Sequence, residues 1–158
     1  MRTARSHLMN LLARRNYSPL EIRKKFADLY PSEETEAAIA FARESRWLLP
    51  DEELSARTAA ALGRKRKGHR FVNQYLKTKG LPPVPKNPDE EIANGVYLVQ
   101  SKLARLLASE LVSDYEFQRE FQGKVQRLLA NRGFDDETIR AVIAAVRAET
   151  AAETAAGL

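Results

Sequence analysis

The densest run of chemically capable residues is Gly63-Arg64-Lys65-Arg66-Lys67-Gly68-His69-Arg70, four cations bracketed by two glycines. Phosphate-cradling P-loops share that glycine spacing, but they need Lys and then Ser or Thr after the second glycine, and a strand before the first. Here His69 and Arg70 stand in those places, so the run does not form a nucleotide loop. Its chemistry is that of charge. Between Arg64 and Lys79 there are seven cations and no acid, the usual footprint of a surface that meets phosphates or another acidic partner. Lys67, Arg70, Gln74 and Lys77 recur three and four residues apart, which puts them on one face of a helix. That face, with Arg64, Lys65 and Arg66 before it, is the leading binding surface. Arg23, Lys24 and Lys25 form a second, lesser candidate, because Glu21 and Asp28 stand close by.

Other residues offer less. There is no cysteine and there are two histidines, His7 and His69, which leaves no basis for a thiolate metal site or a His-centred triad. The acidic residues Glu33, Asp51, Asp89 and Asp135 each open a helix, where they complement the positive end of its dipole. His7 and His69 are expected to be solvated, and Trp47 to anchor packing between helices. No catalytic residue, metal or cofactor is expected.

The elements that position the cations are helical. Ala, Leu, Glu, Lys and Arg together make up just over half of the 158 residues, against thirteen Val and Ile, a balance that favours an all-α chain. No apolar run reaches the length of a membrane span, so no membrane partner is expected, and the zero cysteine count fits a cytoplasmic protein. Eight helices are predicted: Ala4 to Arg15; Pro19 to about Tyr30; Glu33 to Arg46; Asp51 to near Gly63; His69 to Lys79; Asp89 to about Leu111; Tyr115 to Asn131; and Asp135 to about Glu149. Ser18-Pro19-Leu20-Glu21 has the form of a capping box with proline at the first helical position. Leu81-Pro82-Pro83-Val84-Pro85-Lys86-Asn87-Pro88 is expected to be an extended connector.

An internal repeat organises these helices. Leu11-Leu12-Ala13-Arg14-Arg15-Asn16-Tyr17, with Ile22-Arg23 and Phe26, matches Leu128-Leu129-Ala130-Asn131-Arg132-Gly133-Phe134, with Ile139-Arg140 and Ile143, at a constant offset of 117. Tyr75 to Leu81 is a weaker middle copy. The expected organisation is therefore residues 1–48 as a first three-helix repeat, 49–112 as a second carrying the basic stretch 64–79 and the Pro-rich connector 81–88, 113–150 as a third, and 151–158 as a frayed tail. The amino-terminal segment is then a repeat rather than a targeting peptide. Arg15, Lys79 and Arg132 share one slot, at the end of a helix just before the turn residue, and are expected to be structural.

At these repeats the sequence resembles the RecX family, bacterial regulators of the RecA recombinase. The resemblance is carried by Leu11 through Ser18 with Glu21 and Ile22, by Leu49 with Asp51-Glu52-Glu53-Leu54-Ser55-Ala56, by Gly68 through Leu81, and by Leu128 through Phe134. It spans about residues 4 to 146. The family usually has a glycine before the Leu-x-Asp-Glu element, where this chain has Ser45-Arg46-Trp47-Leu48-Leu49-Pro50. After the middle Lys-Gly motif the family continues into a short helix, where this chain has its prolines. The resemblance implies an elongated, curved array of three tandem three-helix repeats, the middle one interrupted. It implies a non-enzymatic protein that lies in the groove of a RecA–single-stranded DNA filament and inhibits ATP hydrolysis, strand exchange and co-protease activity. The expected partners are RecA and nucleic acid through its phosphates, with the protein a monomer. The alternative is a stand-alone basic helical protein that binds nucleic acid without RecA; about six phosphate contacts would give a log–log salt slope near −4 on single strands.

Overall fold

The structure, a computed structural model, describes residues 2–104 and 115–156. Its helices are α1 (Ala4–Arg14), α2 (Pro19–Phe26), α3 (Ser32–Glu44), α4 (Asp51–Arg64), α5 (His69–Thr78), α6 (Pro88–Lys102), α7 (Tyr115–Asn131) and α8 (Asp136–Ala156), with no strand among the described residues. The chain divides into two compact units, Met1–Ala61 with Asn73–Val84, and Leu62–Val72 with Pro85–Leu158.

In the first unit, α1 starts where the Thr3 hydroxyl accepts the Ser6 amide. It buries Ala4, Leu8 and Leu11, spaced at helical intervals, against Ile22 and Phe26 of α2 and Ala38, Ile39 and Ala42 of α3. The predicted capping box forms: the Glu21 amide donates to the Ser18 hydroxyl at 3.2 Å, and the Ser18 amide to Glu21 Oε1 at 3.2 Å. α2 stops at Phe26, short of Tyr30, because the Leu29 and Tyr30 amides both turn back to the Phe26 carbonyl. Phe26 is fully buried, and truncating such a side chain costs about 3–5 kcal/mol.

Beyond α3 the chain turns at Arg46, whose φ of 59° lies in the left-handed region. The Trp47 and Leu48 amides donate to the Ala42 carbonyl, closing the helix end. Trp47 is not the expected packing anchor. It is 49% exposed, and Leu48, at 2%, enters the core in its place.

The connector is extended, as its prolines require, and is strapped to the first unit. The Ser55 hydroxyl donates to the Pro82 carbonyl at 2.7 Å. Asn73 pairs with Val84 in both directions, Val84 N–H to Oδ1 at 3.0 Å and Nδ2 to the Val84 carbonyl at 3.2 Å. Prolines 82, 83 and 85 have no amide to satisfy, so the one amide in that stretch is the one that Asn73 takes up.

In the second unit, α6 begins one residue earlier than expected. Asn87, not Asp89, caps it by accepting the Glu90 amide, and Pro88 occupies the first turn. α6 ends at Lys102; from residue 105 its expected continuation lies outside the described residues. Leu98 and Val99 of α6, Phe121, Val125 and Leu129 of α7, and Ile139, Val142, Ile143 and Val146 of α8 form the core. Gly95 lies where α6 meets α8, since a Cβ there would strike Val142 Cγ2. α8 runs past the expected end at Glu149 to Ala156.

The 117-residue offset is visible in the helix bounds: Arg14 ends α1 and Asn131 ends α7, while Pro19 starts α2 and Asp136 starts α8. The caps correspond too, since Asp135 Oδ1 accepts the Thr138 amide at 2.8 Å as Ser18 accepts that of Glu21.

Candidate functional site

The turn between α4 and α5 holds three of the predicted cations, Lys65, Arg66 and Lys67, and it is built on close backbone packing within the second unit. Gly68 lies against Gly133 and Phe134 so closely that a Cβ would overlap the backbone there. The Gly68 amide donates to the Arg132 carbonyl at 2.8 Å and the Arg70 amide to the Gly133 carbonyl at 3.0 Å. Between them, the His69 amide donates to Glu91 Oε2 at 3.0 Å. Glu91 is buried and caps the start of α5 from α6, and burial raises its pKa. The second glycine of the run therefore serves packing rather than phosphate binding.

The predicted cations divide by what they touch. Arg66 turns back into the unit: it donates to Asn94 Oδ1 and lies 4.2 Å from the Tyr97 ring centroid. Its own φ is 59°. Lys67 sits 4.7 Å from the Phe71 ring centroid. Arg64, Lys65 and Arg70 are exposed. On the rest of α5, Gln74 and Lys77 are exposed as well, while Val72 and Leu76 on the other side of the helix are buried. No cation from Arg64 to Lys77 forms an ion pair among the described residues. Of the four residues expected on one helix face, α5 carries Arg70, Gln74 and Lys77, whereas Lys67 lies before its first residue, and Arg66 turns away toward Asn94.

Of the second candidate group, Arg23 is spent on Glu36, at distances of 2.7 and 3.2 Å. The bond to Glu36 raises the Arg23 pKa, and the same bond holds the Glu36 pKa down. Lys24 and Lys25 are exposed. The three slot-equivalent cations are structural. Arg15 lies 3.7 Å from the Tyr17 ring centroid and 3.0 Å from Glu21 Oε2, Lys79 reaches the same oxygen at 3.3 Å, and Arg132 donates to the Lys65 carbonyl at 3.1 Å. Against the burial of Glu21, the Ser18 amide, Arg15 and Lys79 lower its pKa.

His7 is not simply solvated. Its ring stacks on Phe26 with centroids 4.8 Å apart, and Nδ1 is 3.0 Å from the Tyr30 hydroxyl. Sequence spacing carries no sign of this, since both partners lie a helix away. No group of acidic and imidazole side chains fit to hold a metal occurs among the described residues, and no helix among them is long and apolar enough to cross a membrane.

This arrangement of helices is shared with solved structures. The crystal structure of RecX from Lactobacillus salivarius matches with a TM-score of 0.75, covering 91% of this chain and 94% of that one at 16% identity. A second crystal structure, of regulatory protein RecX, matches with a TM-score of 0.67 over 88% and 70% of the two chains at 18% identity. At those identities the likeness defines the fold, an all-α fold found in regulatory proteins. The sequence goes further. Regulatory protein RecX of Pectobacterium atrosepticum is 30% identical over 155 residues, covering 86% of this chain and 93% of its own. The chain belongs to the RecX family. No family model matches it.

Proposed function

We propose that the chain is a non-enzymatic regulator of RecA that binds in the groove of the RecA–single-stranded DNA filament and inhibits ATP hydrolysis, strand exchange and co-protease activity, acting as a cytoplasmic monomer. Membership of the RecX family carries this reading. The exposed cations Arg64, Lys65, Arg70 and Lys77 are the contact surface in it, with Gln74 between them and Lys24 and Lys25 as accessory positions. Arg66, and also Arg23, hold the fold rather than the partner. In the same reading the chain is a three-repeat array whose middle copy has exchanged one helix for the Pro-rich strap.

Charge reversal on α5 tests it. Arg70→Glu with Lys77→Glu replaces two exposed side chains, so the helical circular dichroism and melting temperature stay at wild-type values while inhibition of RecA ATP hydrolysis falls at least tenfold. Inhibition at wild-type strength in that double variant would remove this face as the binding site.

A further inference from the structure

Seven cations and a single acid lie within residues 1–27, and the fold sorts them. Arg5 lies 3.9 Å from the Phe41 ring centroid, Arg15 pairs with Glu21 and Arg23 with Glu36. Arg2, Arg14, Lys24 and Lys25 form no ion pair among the described residues. Two of these flank α1, Arg2 just before it and Arg14 at its end. Arg2, His7, Asn10, Leu11, Ala13 and Arg14 line a cleft of about 440 Å³. The charges that act on His7 there are Arg2 and, from α2, Lys25. Tyr30 holds one ring nitrogen, and Glu34 of α3 is engaged by the Ala4 amide at 3.1 Å. The cleft thus gathers two guanidiniums, an amide and an imidazole with one nitrogen uncommitted among the described residues.

We propose that this cleft seats a phosphodiester of a single nucleic-acid strand, with Arg2 and Arg14 as its charged partners, Asn10 as a neutral donor and His7 donating from Nε2. Guanidinium forks match phosphate oxygens in geometry and charge. Lys24 and Lys25 continue the positive surface along α2, which suits a polymer of phosphates better than one isolated anion. The site is separate from the α5 face and does not need RecA, so it stands or falls apart from the function proposed above.

His7 supplies a signature that a general basic surface lacks. Burial, then Arg2 and Lys25, depress its pKa. A bound phosphate opposes all three, so binding takes up a proton and affinity rises as pH falls. The test is fluorescence anisotropy of a labelled oligothymidylate, whose bases and phosphodiesters do not titrate between about pH 5.5 and 7.5, with the full chain and no RecA. Arg2→Gln with Arg14→Gln is expected to weaken binding several-fold and to flatten the log–log salt slope by about 0.7 for each phosphate no longer neutralised. Wild type is expected to bind more tightly at the lower pH, by up to about tenfold for each unit by which the His7 pKa rises; His7→Gln loses that increment. The same slope changes are expected in an Arg70→Glu, Lys77→Glu background, which keeps the two surfaces distinct. An unchanged affinity and slope in the double arginine variant, with wild-type circular dichroism, would overturn the proposal. So would a pH dependence that survives in His7→Gln.

Discussion

Asp135 does two jobs with one carboxylate. Oδ1 caps α8 through the Thr138 amide, and Oδ2 holds Lys86 at 2.7 Å. Burial alone would raise its pKa, but Lys86 and Thr138 bring it down to about 2 from an ordinary 3.8. A folded pKa below the unfolded one means that the carboxylate contributes stability above pH 3.8, and that this contribution is lost as pH falls toward 2. Asp135→Asn keeps an oxygen to cap α8 and removes the charge together with the acceptor that Lys86 uses. With solvent screening of a pair this exposed, the expected loss is about 1 kcal/mol at neutral pH. Urea denaturation is expected to show that difference at pH 7 and its disappearance near pH 2; an equal difference at both pH values would mean that the Lys86 pair is not its source. That Asp135 stands at the start of α8 was legible in the sequence because it is local. The Lys86 partner was not, nor were Glu36 for Arg23 or Asn94 and Tyr97 for Arg66, since each lies more than ten residues away in sequence and is brought close only by packing.

At the scale of helices, both hydrophobic spacing and punctuation were legible. Ser18-Pro19 opens α2, Gly80 follows α5 with φ of 68°, and Gly133 follows α7 with φ of 90°. The differences fall where the backbone turns back on itself at the end of a helix, as after Phe26, or where two caps compete, as at Asn87 and Asp89. The turn after α3 is the instructive case. Ser45-Arg46-Trp47 contains no glycine, yet the backbone takes the left-handed conformation, at Arg46. A non-glycine residue there costs about 1–2 kcal/mol, offset in part by the entropy glycine loses on folding. Arg46→Gly is therefore expected to stabilise the protein by about 0.5–1 kcal/mol, seen as a higher melting temperature. Gly133→Ala is expected to do the opposite, by about 2–4 kcal/mol, because its Cβ would overlap Phe71 in a backbone conformation already hostile to alanine. If both variants melt with wild type, the positive φ angles do not limit stability.

For the molecule as a whole, the constant offset of 117 residues was the strongest signal in the sequence, and helix bounds, caps and some buried positions, Leu8 with Val125 and Ile22 with Ile139 among them, repeat on that offset. Between residues 82 and 85 proline removes the donors that a helix would need, and the chain uses that stretch as a strap held by Ser55 and Asn73. The charge imbalance pointed to the cations between Arg64 and Lys77 but not to the cleft beside α1, since Arg2, His7 and Arg14 line one cleft only once α1 is helical. The function proposed above requires that this RecX-family chain act on RecA filaments rather than on DNA as such. Its most direct test compares binding of the labelled protein to preassembled RecA–single-stranded DNA filaments and to the bare strand, at about physiological ionic strength, where charges are screened beyond about 8 Å. Binding to the filament at least tenfold tighter than to the bare strand is the predicted result. Equal affinity for the two would contradict the account and leave a general nucleic-acid-binding protein.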